Sequence, residues 1–216
     1  MISIRAYAAE DSAALYAISL ATGHLGGDAS HLYADGTLPG HIYAGPYAVL
    51  APDLVLVAID AEGVAGFVLG ALDTLEWEAR LERDWWPSLR ARYRDPAADA
   101  RGAWTADQRR ASMIHHPEHA PRAVANAFPA HLHLNLLPRI QGHGDGGRLL
   151  SAWLELAARH GAQSAHVAAN RGNARAIRFW WKSGFTDVTP ADQSAERTTW
   201  LGRHGDARAE VRPVSS

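Results

Sequence analysis

Alternating apolar and polar positions mark strands along this chain, and stretches with helical spacing lie between them. The clearest alternation covers residues 131–137, where leucine occupies every second position. A period of two predicts a strand with one buried face. Downstream, apolar residues recur at helical spacing from Leu149 to Ala157, and Gly161 stands where a glycine commonly follows a helix end. The pattern therefore predicts a strand, a glycine-rich loop and a helix in succession.

The same reading of the remaining chain predicts a mixed α/β fold. A helix is expected at 11–21, with Asp11 or Ser12 as its N-cap. Residues 22–47 are rich in Gly, His, Tyr and Pro, which indicates a looped or broken-helical region. A long insertion with amphipathic helical patches is expected at 75–128. Further strands are expected at 2–6, 54–60, 64–72, 164–169, 185–189 and 196–203.

Composition narrows the class of protein. With 216 residues, 47% hydrophobic positions and a formal charge of −2, the chain is expected to form one globular domain over 1–204 and a flexible tail at 205–216. The near-neutral charge gives no general attraction to nucleic acid or anionic membranes. The absence of cysteine excludes disulfides, a thiol nucleophile and thiolate metal ligands. No apolar run reaches the ~20 residues of a membrane span and no signal-peptide pattern is seen, so a cytoplasmic location is expected.

The glycine-rich stretch 141–147 carries the first chemical signal. Backbone N–H groups and the positive end of the following helix meet there, an arrangement that binds phosphate. A P-loop requires Lys followed by Ser or Thr, whereas an Arg-Leu pair follows the last glycine here, so that interpretation fails. The glycine spacing also fits a dinucleotide loop, which needs an acidic residue about 20 positions further on. No acidic residue stands between Glu155 and Asp187, which disfavours a dinucleotide site.

A third kind of phosphate loop fits better. Gln141-x-x-Gly144-x-Gly146, between a strand and a helix, resembles the coenzyme A loop of the GNAT acetyltransferase family. The segment from Asn173 to Phe185 is similar to the N-x-x-A-x-x-[LF]-Y-x-K-x-G-F helix and turn of the same family. The resemblance implies an α/β fold with a central mixed, mostly antiparallel sheet that is splayed between strands 4 and 5. It also implies helices on both faces of the sheet and places the insertion between strands 3 and 4.

More distant motifs narrow the relationship. Stretches at 22–30, 85–87 and 129–133 resemble the acetyltransferase-like domain that follows the hydrolase domain in O-GlcNAc hydrolases, and its free-standing bacterial relatives. The similarity covers about residues 2–203. No glycoside hydrolase domain accompanies it, so only the acetyltransferase half is implied.

The resemblance implies an N-acetyltransferase that transfers the acetyl group of acetyl-CoA directly to an amine. The acceptor would be a small-molecule or peptide amine, with no nucleic acid, membrane or metal partner, and the protein would be a monomer or homodimer. The backbone near Leu136 and Leu137 would pair with the pantetheine and polarise the thioester, while the glycine loop would hold the pyrophosphate. The implied cofactor-binding residues are Leu136, Leu137, Gln141, Gly142, His143, Gly144, Asp145, Gly146, Gly147, Asn170 and Asn173.

Two positions depart from the family pattern. Trp180 stands where a tyrosine commonly protonates the leaving thiolate, and an indole N–H cannot donate a proton near neutral pH. Tyr33, Tyr43 or Tyr47 could supply that proton, the thiolate could leave unassisted, or catalysis could be lost. Asp145 replaces an aliphatic residue and is expected to point outward, where it stabilises the helix N-terminus by ~0.5 kcal/mol.

Three groups are candidates for the general base. His133 shares a strand face with His131 and Asn135 under the expected site, and imidazole titrates in a suitable range. A hydrogen-bonded packing role is the alternative for it. Asp73 and Asp28 are the other candidates, with cation binding or turn capping as alternatives. The predicted catalytic set is His133, Asp73 and Trp180.

Other signals have structural explanations. Pro117 breaks the helix that would place His115 and His119 on one face, so no metal site is predicted. The tryptophans of the insertion are expected to form its core or to line an acceptor pocket. A set of basic residues could bind the adenosine phosphates or face solvent: Arg139, Arg148, Arg171, Arg175 and Lys182.

Two functions other than acetyl transfer stay open. A catalytically inactive pseudo-acetyltransferase would bind CoA or a partner without turnover, and Trp180 and Asp145 favour it. A nucleotide-dependent oxidoreductase is disfavoured by the missing acidic residue.

Overall fold

Seven strands form one sheet, in the order β1-β2-β3-β4-β5-β7-β6, in a computed structural model that describes residues 2–205. The strands are β1 (Ser3–Ala6), β2 (Val55–Asp60), β3 (Gly63–Ala71), β4 (Ala130–Leu136), β5 (Ser164–Asn170), β6 (Thr186–Asp187) and β7 (Thr198–His204). The helices are α1 (Ser12–Ala21), α2 (Leu38–Tyr43), α3 (Gly45–Leu50), α4 (Thr74–Asp84), α5 (Trp86–Arg92), α6 (Ala106–His115), α7 (Arg122–Ala127), α8 (Asp145–Arg159) and α9 (Ala174–Lys182).

Neighbouring strands pair antiparallel except β4 and β5, which are parallel. A tight turn joins β2 to β3, as antiparallel neighbours allow, whereas α8 provides the crossover that a parallel pair requires. The predicted mixed, mostly antiparallel sheet is therefore confirmed.

The parallel pair β4–β5 separates soon after it begins. Its backbone register contains only Ala130 opposite Ala165 and His131 opposite His166. On their outer sides both strands stay paired for longer, β4 with β3 from His131 to Leu136 and β5 with β7 over its full length. The inner edges of β4 and β5 therefore diverge and leave an open wedge in the middle of the sheet. This wedge is the splay that the sequence resemblance predicted.

Helices cover both faces of the sheet because successive strand residues point to opposite sides. On β3, Val68 joins the core beneath α8, and Phe67 joins the core beneath α1 and α3. The stripe predicted on α8 is buried, and the indole of Trp153 is fully enclosed with its Nε1 donating to the carbonyl of Leu54 at 2.9 Å. Packing of α8 thus fixes the loop that precedes it.

The insertion consists of α4 to α7 and builds a third, smaller core together with α2. Leu38, Trp86, Leu89 and Ile114 are its buried members. Trp86 therefore packs in the core of the insertion, as expected, whereas Trp77 belongs to the core under α1 and α3.

Most predicted boundaries lie within one or two residues of the observed ones. The region 22–47 contains two short helices, α2 and the start of α3, which agrees with the broken-helical expectation. The strand expected at 185–189 shortens to β6, since Val188 and Thr189 bond to β7 only irregularly. The predicted tail at 205–216 lies outside the described residues apart from Gly205.

Candidate active site

The backbone amides at the N-terminus of α8 form a cradle at the end of the wedge. Gly142 and Gly144 both have φ of +86°, a conformation that glycine adopts without a steric penalty. The first helical bond runs from the amide of Arg148 to the carbonyl of Gly144 at 3.1 Å. The amides of Asp145, Gly146 and Gly147 therefore have no acceptor within the helix and point out of its N-terminus. Such a geometry binds anions.

The glycine loop is anchored to the end of β4. The side-chain amide of Gln141 donates to the carbonyl of Leu136. Gly146 lies so close that a Cβ there would stand 3.2 Å from Leu136 and 3.3 Å from Phe179. At Gly144 the equivalent position has no atom within 4 Å, so open space lies above it. The predicted residues Gln141, Gly144, Gly146 and Leu136 are therefore brought together.

For Leu137 the prediction needs correction. Its amide donates to the carbonyl of Ala65 on β3 at 2.8 Å and is not free for a pantetheine. Hydrogen-bonding directions alternate along a strand, so the amides of Leu134 and Leu136 point the other way, into the wedge. Because β4 and β5 pair only at their beginnings, these two amides have no backbone partner among residues 2–205.

Asn170 and Asn173 border the wedge from β5 and α9. Asn173 caps α9 by accepting from the amide of Ala176 at 3.0 Å, and Asn170 accepts from the amide of Gly172 at 2.9 Å. The side chain of Asn173 also lies beside Gly26, so the loop after α1 reaches across the wedge. Both asparagines thus stabilise the rim opposite β4.

The charged residues near the loop are largely engaged with the protein. Asp145, which was expected to point outward from the helix start, is only 8% exposed and pairs with Arg148 at 3.0 Å. Arg148 also reaches the carbonyl of Ile2, and Arg139 pairs with Asp60 at 2.7 Å. The carboxylate of Asp145 is therefore directed at a cation on the β1 side. His143 is exposed next to this group.

A second feature is a chain of four polar side chains beneath the wedge. Thr74 Oγ1 lies 2.8 Å from His131 Nδ1, and His131 Nε2 lies 2.6 Å from Tyr47 Oη. Tyr47 Oη is in turn 3.2 Å from His133 Nε2. The chain joins α4, β4 and α3, three elements that are far apart in sequence. We call these four side chains the relay.

The hydrogen bond that Thr74 donates at one end of the relay determines where the other hydrogens of the relay lie. Thr74 donates its hydroxyl hydrogen to the carbonyl of Pro129 at 2.8 Å, so it accepts from His131 Nδ1. A neutral His131 then has a lone pair on Nε2, which accepts from Tyr47. The oxygen of Tyr47 accepts from His133 Nε2, which leaves the lone pair of His133 on Nδ1. The relay therefore holds His133 in one tautomer.

Burial keeps all members of the relay uncharged. Burial, reinforced by the neighbouring His166, lowers the pKa of His133 from 6.5 to about 4. Burial, together with His133 and His166, also lowers the pKa of His131 well below its ordinary value. The pKa of Tyr47 is raised by burial, and its ring stacks on Trp77 at 4.4 Å between centroids. At neutral pH, His133 is consequently uncharged, with a lone pair on Nδ1.

Comparison with known proteins agrees with this architecture. No known protein-family model matches the sequence. The crystal structure of SsHAT is 31% identical with a TM-score of 0.85, and the match covers 94% of this chain and 98% of SsHAT. The chain belongs to the GNAT acetyltransferase family.

Two other GNAT comparisons are more distant. The PaiA N-acetyltransferase from Thermoplasma acidophilum, solved in complex with coenzyme A, is 13% identical with a TM-score of 0.56, over 94% of this chain and 99% of that one. That similarity concerns the fold. Protein O-GlcNAcase of Rattus norvegicus is 20% identical over 210 residues, which are 93% of this chain and 22% of the O-GlcNAcase. This GNAT chain thus spans about a fifth of that relative's length.

The other candidate catalytic residues have contacts of their own and are not members of the relay. Asp73 is the N-cap of α4, with its Oδ1 accepting from the amide of Glu76 at 3.0 Å, which is the capping alternative. Asp28 accepts from the amide of Ser30 in an exposed turn. Trp180 is buried to 6% exposure, edge-on to the rings of Phe179 and Phe185.

The histidines of the insertion contact separate partners. His115 lies 2.7 Å from the carbonyl of Tyr93, while His116 and His119 pair with Asp95 and Glu78. Within residues 2–205, no group of three or more His, Asp or Glu side chains converges as metal ligands would. In the same range, no helix is both long and apolar enough to cross a bilayer.

The buried histidines predict a specific loss of stability in mild acid. The native state keeps His131, His133 and His166 uncharged, whereas the unfolded chain protonates them near pH 6.5. Below that pH the unfolded state binds more protons, so the free energy of unfolding falls by up to about 1.4 kcal/mol per pH unit for each histidine. Urea unfolding between pH 7 and 5 measures this slope. Replacing His133 with Gln should reduce it, and an unchanged slope would contradict its low pKa.

Proposed function

We propose that this GNAT protein is an acetyl-CoA-dependent N-acetyltransferase that uses His133 as its general base. One observation carries the proposal: the α8 amide cradle packs against Leu136 through Gly146, and the amide of Leu136 itself is unpaired and points into the wedge. The cradle suits a pyrophosphate, and the wedge suits an extended pantetheine arm that pairs with β4. The PaiA enzyme, which was solved with coenzyme A, has the same fold and supports this assignment.

Within this arrangement the β4 amides have a chemical role. An N–H group near Leu136 would donate to the thioester oxygen and stabilise the negative charge that develops there during attack. The N–H of Leu136 belongs to the same peptide group as the carbonyl of Asn135, and Asn135 is paired with Phe67 in the β3–β4 ladder. The donor is therefore held in place before substrate binds.

Transfer then needs only one proton acceptor. The amine lone pair attacks the thioester carbon, a C–N bond forms, and the C–S bond breaks with its electron pair leaving on sulfur. The nitrogen loses a proton to Nδ1 of His133, and this proton reaches the thiolate through water. The products are an N-acetyl amine and the free thiol of CoA. Because the relay occupies Nε2, Nδ1 is the nitrogen available for this step.

The proton for the thiolate does not come from Trp180 in this mechanism. An indole N–H is a hydrogen-bond donor only, and Trp180 packs between two phenylalanine rings. The hydroxyl of Tyr47 is committed to His131. A pseudo-acetyltransferase is the second candidate function, because neither Trp180 nor Tyr47 is placed to protonate the departing sulfur.

Thiol release distinguishes the two candidates. The chain contains no cysteine, so a thiol reagent reports only the CoA that is released from acetyl-CoA. Amine-dependent thiol release above the hydrolysis background would support transfer. Tight CoA binding with no thiol release across primary amines would support the pseudo-acetyltransferase.

Replacing Tyr47 with Phe should lower kcat about 10-fold with little change in the KM for acetyl-CoA. The hydroxyl bridges His131 and His133, and its loss frees His133 to adopt the unproductive tautomer. Tyr16→Phe is a matched control, since the hydroxyl of Tyr16 bonds to His41 at 2.9 Å and takes no part in the relay. Equal kcat values for Tyr47→Phe and Tyr16→Phe would show that the relay has no role in catalysis.

A further inference from the structure

Arg110 on α6 has an unusual set of partners. Its Nε donates to the hydroxyl of Tyr33 at 3.0 Å, and its Nη1 approaches the thioether sulfur of Met113 at 3.0 Å. The guanidinium also lies over the ring of Tyr43, with 5.3 Å between Cζ and the ring centroid. A phenol, a thioether and an aromatic face are weak acceptors for a permanent cation.

No carboxylate pairs with this cation within residues 2–205. Other arginines have one within 3.0 Å: the partly buried Arg90 pairs with Glu82, and the exposed Arg139 pairs with Asp60. Glu118 influences Arg110 electrostatically but forms no ion pair with it. A guanidinium that is partly withdrawn from water and lacks a carboxylate partner is a favourable place for an anion.

The position of Arg110 relative to His133 gives this cation a function. The ring of Tyr43 lies 6.0 Å from the ring of His133 and contacts Arg110 on its face. The Tyr43 side chain therefore contacts both the proposed base and the guanidinium of Arg110. A molecule that places its amine at His133 could place an anionic group at Arg110.

We infer that the acceptor is an amine that also carries a carboxylate, and that Arg110 selects it by pairing with that carboxylate. The inference rests on the proposed acetyl transfer. A carboxylate fits better than a phosphate dianion, because one guanidinium supplies a single positive charge and Glu118 lies nearby. Arg110 is thus a specificity residue, distinct from the base.

The test uses pairs of amines that differ only in the carboxylate. β-Alanine, γ-aminobutyrate, 5-aminovalerate and 6-aminohexanoate are compared with alkylamines of matching length by thiol release. We expect kcat/KM for at least one amino acid to exceed that of its matched amine by about 10-fold or more, the usual scale of a charged hydrogen-bonded pair. Arg110→Gln should erase this ratio by lowering kcat/KM for the amino acid towards the value of its matched amine. Arg109→Gln, an exposed neighbour on the same helix, should keep the ratio.

The failures of the two proposals are distinguishable. The role of Arg110 would be overturned, with acetyl transfer still supported, by either of two results. The wild-type protein could acetylate amines with no preference for a carboxylate, or the preference could survive in Arg110→Gln. If no amine is turned over, saturation-transfer NMR with the same amino acids tests the site directly: binding must occur in wild type and disappear in Arg110→Gln. Arg110→Lys, which keeps the positive charge, should retain part of the selectivity for carboxylates. This result would show that the loss in Arg110→Gln does not arise from misfolding.

Discussion

Acetyl-CoA binding should weaken about 100-fold or more when Gly144 is replaced by valine. Gly144 has φ of +86°, which a β-branched residue adopts only with strain, and its Cβ would enter the open space above the amide cradle. The change would both shift the amides of Asp145 to Gly147 and block the approach of a pyrophosphate. Calorimetric titration of acetyl-CoA into the variant measures the effect.

Gly161 provides a matched control at the other end of α8. It has φ of +92°, is exposed, and a Cβ added there would likewise meet no atom within 4 Å. Gly161→Val should therefore cost similar stability while leaving acetyl-CoA affinity at the wild-type value. Equal affinity losses in the two variants would mean that general destabilisation, rather than the cradle, explains the effect.

Replacing His133 with Gln should lower kcat by about 100- to 10,000-fold, the usual range for a lost general base. Glutamine can still donate to the hydroxyl of Tyr47, so the relay and the fold are preserved. It has no group that takes up a proton at neutral pH. Acetyl-CoA affinity should stay unchanged, because His133 lies beneath the wedge rather than in the amide cradle.

The control for this variant is His116→Gln, which alters an exposed histidine of the insertion. The activity of the wild-type protein should also not fall between pH 7 and pH 6 through protonation of His133, since its pKa of about 4 keeps it unprotonated there. A His133→Gln enzyme with wild-type kcat would eliminate His133 as the base.

The parts of this site that sequence predicted are those encoded by local motifs. The order of strand, glycine loop and helix around Gly144 follows from spacing and turn chemistry alone. Gly144 and Gly146 stand at the helix start because the left-handed turn at the first and the contact with Leu136 at the second disfavour a side chain. The sheet and its splay followed from the same motifs through family resemblance.

The parts that sequence missed depend on contacts between distant segments. Nothing in the local pattern relates Tyr47 to His131 or Thr74, which meet only after α3, β4 and α4 pack together. Leu137 was expected to pair with the pantetheine together with Leu136, because strand residues look alike in sequence, whereas the hydrogen bond to Ala65 decides which way its amide points. Arg110 gave no signal, because its lack of a carboxylate partner is a property of the folded insertion.

Binding of acetyl-CoA to the wild-type protein tests the central claim most directly. The amide cradle and the open wedge predict saturable binding at one site, with micromolar affinity, when acetyl-CoA is titrated by calorimetry. An absence of binding at millimolar acetyl-CoA would contradict the assignment of this wedge as an acyl-CoA site.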